Sequence, residues 1–226
     1  MSHSPFSRIR AWVFDLDNTL YPPEAALFEQ IERRMTEWVM RALGCPRAQA
    51  DRLRRHYWRT YGTTLAGLMR EHGVDPGPYL HEVHDIDLSP LRPAPDLAAA
   101  IAALPGRRIV HTNGPAEHAQ RVLAARGLSD VFDAVYGIEH AGFRPKPERA
   151  AFETVFAADG LRPEQAAMFE DDPRNLAAPH AMGMRTILVA APPRGDAPVH
   201  HHHVHHHTDD LAAFLAPLGA APEHAP

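Results

Sequence analysis

Residues 11–14, Ala-Trp-Val-Phe, form a short apolar run that stops abruptly at Asp15-Leu16-Asp17-Asn18. Four apolar residues cut off by acids predict a buried strand with polar groups at its carboxyl end. Pro22-Pro23-Glu24 predicts the start of a helix, because proline is tolerated and an acid favoured in a first turn. Leu27, Ile31, Met35, Trp38, Val39 and Ala42 then recur at spacings of three and four, one apolar face of an amphipathic helix. Gly44 and Pro46 stop it. Three more short helices are predicted over 47–61, 63–72 and 78–84, separated by Gly62 and by Gly73-Val74-Asp75-Pro76. Residues 20–90 thus read as a helical block with no strand in it.

From Pro95 the pattern alternates. Strands are predicted over 108–111, 134–136, 166–169 and 186–189. Helices are predicted over 97–104, 115–126, 147–158 and 173–182, with a last one near 208–218. Strands alternating with helices imply right-handed crossovers and a parallel sheet covered on both faces. The expected fold is α/β: a Rossmann-like parallel-sheet core over 1–19 and 91–226, with a helical cap inserted over 20–90. Residues 190–199, rich in Pro and Ala, read as a loop.

Composition narrows the function classes. The chain has 226 residues, 45% hydrophobic and 23% charged, which is ordinary for a globular protein. One cysteine, Cys45, excludes an internal disulfide and a Cys-based zinc cluster. No apolar run reaches membrane-helix length, and the first ten residues lack an apolar signal core, so a cytoplasmic protein is expected. The net charge of −5, without a basic stripe, argues against a nucleic acid polymer as partner. Of the 23 basic residues only Lys146 is a lysine. A lone lysine among arginines is either chance or a place where a compact ammonium is needed.

In parallel sheets ligands bind outside the carboxyl ends of the strands. There the sequence puts Asp15 and Asp17, then Thr112 and Asn113, then Glu170, Asp171 and Asp172, with Lys146 just before a helix. Each acid alone could be a helix cap. Clustered carboxylates repel unless a hard cation sits among them, and an oxygen-only donor set suits Mg²⁺.

Asp15-Leu16-Asp17-Asn18-Thr19-Leu20, Thr112-Asn113-Gly114, Pro145-Lys146-Pro147 and Glu170-Asp171-Asp172 resemble the four motifs of the haloacid dehalogenase-like phosphohydrolases. The likeness runs from about residue 9 to 189. A narrower resemblance, to the pyrimidine 5′-nucleotidase branch, rests on Asp17-Asn18-Thr19-Leu20-Tyr21, Val83-His84-Asp85-Ile86 and Phe169-Glu170-Asp171-Asp172. The resemblance implies a Mg²⁺-dependent phosphatase acting on a small phosphorylated metabolite, a nucleoside 5′-monophosphate above all. Asp15 would be the nucleophile and Asp17 the general acid and base. Thr112 and the Asn113 backbone N–H would hold phosphate oxygens, and Lys146 would offset charge. Asp15, the Asp17 carbonyl and Asp171 would hold the metal, with Glu170 close behind. Many relatives carry Ser where this chain has Asp172, which leaves open which carboxylate faces the metal. The dehalogenase relatives lack an acid at the position of Asp17, since a halide leaves without a proton.

Substrate choice should live in the cap. Tyr21 is expected at the pocket rim, and Tyr61 and His84 at helix ends facing the cleft. Alternatives at this stage are a sugar-phosphate or phosphoglycolate phosphatase or phosphomutase, and a non-catalytic phosphate- or metal-binding protein. Seven histidines within 200–207 form either a loop without selected affinity or a site for Ni²⁺, Zn²⁺ or Cu²⁺. The arginines within 47–59 read as a solvated helix face or an anion site.

Overall fold

The computed structural model describes residues 5–191 and 201–219. Six strands form one sheet, β1 (Ala11–Phe14), β2 (Arg107–His111), β3 (Ala134–Tyr136), β4 (Ala166–Glu170), β5 (Arg185–Val189) and β6 (His206–Thr208). Their order is β3-β2-β1-β4-β5-β6, and every neighbouring pair is parallel. β1 is central, and all four of its residues are buried. Side chains alternate across it: Trp12 and Phe14 enter one core with Val110, Val122 and Phe169, while Ala11 and Val13 enter the other with Ile109, Phe152 and Met168. The Phe14 and Phe169 rings stack at 4.6 Å.

Register fixes what stands at the sheet edge. Phe14 pairs with Val110 on one side and Phe169 on the other. One residue further on, Asp15 is level with His111 and Glu170, and the Asp15 N–H still donates to the Phe169 carbonyl at 2.9 Å. The strands around the centre therefore deliver their first polar residues in one row.

Helices α1 (Leu27–Leu43), α2 (Arg47–Tyr61), α3 (Thr64–His72) and α4 (Pro76–Val83) fill the segment between β1 and α5 (Pro95–Ala102). They share an apolar cluster of their own, including Val39, Tyr57, Leu68, Tyr79 and Val83. The crossover helices are α6 (Ala116–Arg126), α7 (Arg149–Asp159) and α8 (Ala177–Ala181), and α9 (Leu211–Gly219) packs beside α5. Among the described residues no helix is long and apolar enough to cross a membrane.

Three expectations need correction. The first helix does not run on from Pro22: Pro23–Ala25 is a separate 3-10 turn, and Ala26 adopts left-handed backbone (φ 54) before α1 begins. The helix expected over 173–182 is split into a 3-10 turn, Pro173–Leu176, and α8. Restarting at Ala177 puts Pro179 in the first turn, where its missing N–H costs no helical bond. The histidine tract is not simply loop. His206–Thr208 forms the edge strand β6, because Thr186 on β5 binds the chain beside it: its hydroxyl donates to the His203 carbonyl at 2.7 Å and its carbonyl accepts from His205 N–H at 3.1 Å. His200 lies outside the described residues.

Packing of α2 on α3 depends on one missing side chain. A Cβ on Gly67 would sit 2.1 Å from the Tyr57 ring. Gly67→Ala should destabilise the fold by about 1–3 kcal/mol, the usual cost of overpacking. Thermal unfolding checks this, and an unchanged melting temperature would contradict it.

Candidate active site

The site is built around one buried ammonium. Lys146 is 1% exposed and precedes α7. Its Nζ donates to Asp15 Oδ1 at 2.6 Å, Glu170 Oε2 at 2.7 Å and the His111 carbonyl at 3.0 Å. Three donors thus meet three acceptors. Burial alone would push the ammonium's pKa down, but the Asp15 and Glu170 carboxylates outweigh it and hold the group above the ordinary lysine range. The Asn113 side chain fixes the lysine's backbone: Oδ1 accepts from Lys146 N–H at 2.8 Å and Nδ2 donates to the Lys146 carbonyl at 3.1 Å. Beside it, the buried Thr112 Oγ1 accepts from Gly114 N–H at 2.9 Å, which leaves the hydroxyl proton for another acceptor.

Asp15, Glu170 and Asp171 each offer an oxygen within 4.8 Å of the others. Burial, then the Glu170 charge, raises the Asp15 pKa to about 8. Burial, then the Asp15 and Glu170 charges, raises that of Asp171 to about 9. Asn18, in left-handed backbone, donates to Asp171 Oδ2 at 3.2 Å. Burial and mutual repulsion disfavour ionising all three acids around one ammonium unless a second cation joins them, and all the side-chain donors are oxygens. That donor set fits a hard divalent cation such as Mg²⁺. Asp172 takes no part in it. Its carboxylate accepts from Arg174 N–H at 3.0 Å, capping the turn, and pairs with the Arg174 guanidinium at 2.6 Å. Of the three consecutive acids, Glu170 and Asp171 face the cluster.

Asp17 lies on the other side of the turn. Tyr21 Oη donates to its Oδ1 at 2.5 Å. Burial raises the Asp17 pKa, against the opposing effects of that hydrogen bond, His84 and Lys146. Asp17, His84, Asn113 and Gly114 line one end of a cavity of about 440 Å³, and the helical block lines the rest. His84 Nδ1 bonds the Leu80 carbonyl at 2.9 Å, which makes Nε2 the lone-pair nitrogen.

A family model for haloacid dehalogenase-like hydrolases matches residues 9–183. The chain belongs to this family. It is 26% identical over 198 residues to phosphate metabolism protein 8 of Saccharomyces cerevisiae, covering 79% of this chain and 61% of that protein. The chain therefore spans less than two thirds of that curated relative. Its fold is similar to that of CbbY from Rhodobacter sphaeroides in complex with phosphate (TM-score 0.61, 21% identity, 90% of this chain and 95% of that one). It is also similar to that of an L-2-haloacid dehalogenase (TM-score 0.59, 20% identity, 93% and 99%).

In this hydrolase the sequence-derived residues Asp15, Glu170, Asp171, Lys146, Thr112 and Asn113 gather at the sheet edge, and Asp17 and His84 open onto the adjoining cavity. Two expected rim residues are placed otherwise. Tyr21 is 1% exposed and sits behind Asp17, because the turn at Leu16–Leu20 folds it inward. Tyr61 lies outside the cavity, where its hydroxyl donates to Glu71 and the Arg70 guanidinium sits 5.4 Å over its ring. The arginines of α2 divide: Arg54 turns inward to Glu32 at 3.0 Å, while Arg47 is exposed and 3.6 Å from Glu37. Sequence reasoning missed Phe28, Trp58 and Tyr79, which line the cavity. A signal existed for Trp58, a large aromatic in an otherwise arginine-rich helix.

Next to His84, His118 is buried with both ring nitrogens unpartnered. Burial, then Arg121, lowers its pKa from 6.5 to about 4. Between those values the unfolded chain binds the extra proton, so this ring removes stability as pH falls. His118→Leu removes that titration. The stability difference should shift in the variant's favour by up to roughly 3 kcal/mol between about pH 7 and pH 4. Urea unfolding of both proteins across that window measures it, and parallel pH curves would contradict it.

Proposed function

We propose that this hydrolase is a magnesium-dependent phosphatase for small phosphate monoesters, working through an aspartyl-phosphate on Asp15, with a pyrimidine nucleoside 5′-monophosphate as substrate. The observation that carries the reading is Asp17: a second, half-buried acid, two residues past Asp15, held by Tyr21 and lining the cavity. A halide leaves without a proton, whereas an alkoxide needs one. Burial raises the proton affinity of Asp17, the direction a proton donor to a leaving oxygen needs. The nucleotide assignment rests on the resemblance of the motifs around Asp17, His84 and Phe169.

Asp15 attacks phosphorus with a carboxylate oxygen as the bond to the leaving oxygen breaks, and Asp17 gives that oxygen its proton. Asp17, now ionised, takes a proton from water. The resulting hydroxide attacks phosphorus and releases Asp15 and inorganic phosphate. Thr112 Oγ1 and the Asn113 N–H hold phosphate oxygens. Lys146 keeps the attacking carboxylate oriented and balances charge as it builds up. Asp15, the Asp17 carbonyl and Asp171 would hold Mg²⁺, with Glu170 tying the group to Lys146. The cation supplies charge neutralisation for the phosphoryl oxygens.

Phosphate release from nucleoside 5′-monophosphates, sugar phosphates and an aryl phosphate, with Mg²⁺ and with chelator, tests the reading. Mg²⁺-dependent release supports it; halide release from a 2-haloacid without phosphate release would overturn it. Asp15→Asn should abolish turnover while circular dichroism stays unchanged, and more than a few per cent residual activity would remove the nucleophile. Lys146→Arg should lose roughly 10²-fold or more in kcat, because a planar fork cannot replace a point charge with three bonds. Near-normal kinetics in that variant would make the lysine incidental.

A further inference from the structure

The histidines of 201–207 take no part in the phosphate chemistry, yet β5 holds them in place. Val204 N–H donates to the His201 carbonyl at 2.9 Å, closing a tight turn with His202 and His203 at its corner. The Thr186 hydroxyl donates to the His203 carbonyl at 2.7 Å, and His205 N–H donates to the Thr186 carbonyl at 3.1 Å. Val204 packs against the core that contains Leu176 and Met184. A tract anchored on both sides of its turn is not a freely solvated tail.

The imidazoles at this turn gather against α8. The ring centres of His202 and His203 are 5.0 Å apart, and that of His180, in the last turn of α8, is 6.2 Å from His202. Two imidazoles sharing one tetrahedral ion, with metal–nitrogen bonds of about 2.0–2.1 Å, hold their ring centres roughly 5 Å apart. His203 is oriented for ligation: its Nε2 donates to the Pro173 carbonyl at 2.8 Å, which leaves Nδ1 as the lone-pair nitrogen. Burial lowers its pKa against the opposing Pro173 bond, and charge on His202, His201 or His180 would lower it further, so the neutral, ligating form is favoured. No three of these nitrogens lie within 4.8 Å of one another among the described residues, so ligation turns the His180 and His202 rings. Neither is held by a side-chain hydrogen bond, and His202 is exposed. His205 is committed elsewhere, because its Nδ1 accepts from Thr186 N–H at 3.1 Å.

We propose that His180, His202 and His203 form a second metal site, for a divalent transition cation such as Zn²⁺ or Ni²⁺, with a fourth position left to water. Its donors are nitrogens, which suit these ions and are passed over by Mg²⁺. The bound ion would cross-link α8 to the turn at 201–204 and, through the His203 ring, to Pro173, two residues past Asp171. The proposal does not depend on the phosphatase reading.

Isothermal titration calorimetry of the full chain with Zn²⁺, in a large excess of Mg²⁺ to compete at the acidic cluster, tests the site. Wild type should bind one Zn²⁺, and Asp171→Asn should bind it equally well. His180→Ala and His203→Ala should each weaken binding by about tenfold or more, while His207→Ala should leave it within about twofold. Zn²⁺ should also raise the melting temperature of wild type and not that of His180→Ala. His180→Ala is the decisive variant, since alanine keeps the short helix intact and leaves the whole tract in place. Unchanged affinity in it would mean that the tract chelates on its own, as an unfolded run of histidines does, and would overturn the proposal. Loss of binding in Asp171→Asn would put the ion at the acidic cluster and overturn it too. No Zn²⁺ binding, or equal losses in His207→Ala and His180→Ala, would do the same.

Discussion

A buried lysine without its partners would be expensive, and most of the site follows from how Lys146 is satisfied. Its ammonium is shared by Asp15, Glu170 and the His111 carbonyl, which end three adjacent strands. Removing any partner would leave a buried charge under-compensated, a large penalty in a low-dielectric interior. The arrangement is therefore strict: β2, β1 and β4 must end at the same level, as their register ensures. Asn113 then holds the lysine's own backbone from the β2 side. The sheet, in this view, is a device for bringing three strand ends to one ammonium, and the ammonium fixes where the Asp15 oxygens lie.

The helical block is tied to the same place. Gly62, at the end of α2, has φ +86, and a Cβ there would lie 3.2 Å from the Lys146 carbonyl. The Arg174 guanidinium, paired with Asp172, sits 3.6 Å from the centre of the Trp58 ring. One cation–π contact of this kind is worth on the order of 1 kcal/mol, modest enough to form and break. It joins the turn after Asp171 to the helix that supplies an exposed wall of the cavity. The acidic cluster and the cavity walls thus meet through a few residues at the carboxyl edge of the sheet.

What the sequence revealed and concealed follows from the reach of each interaction. β1 was legible because an apolar run stops at acids, and the strand-end residues were legible because parallel sheets place function there. The lone lysine was legible by contrast with 22 arginines. Tyr21 was misplaced because its position depends on a tight turn that folds it under Asp17. Tyr61 was misplaced because its neighbours, Arg70 and Glu71, are contributed by the end of the next helix. β6 was hidden because histidines lack the apolar alternation of a strand, and a hydroxyl on β5 binds the chain beside it. Phe28 and Tyr79 carried no local signal, since only the packing of α1 against α4 brings them to one cavity.

The central claim is that Asp15 carries the phosphoryl group. The direct measurement is to mix the Asp17→Asn protein with a phosphate ester that has a good leaving group, quench in acid within the first turnover, and map the modification by peptide mass spectrometry. Without Asp17 to activate water, the account predicts one phosphoryl group accumulating on the peptide that contains Asp15, absent when Asp15 is also changed to Asn. Leaving-group release with Asp15 unmodified, or a phosphoryl group on another residue, would contradict it.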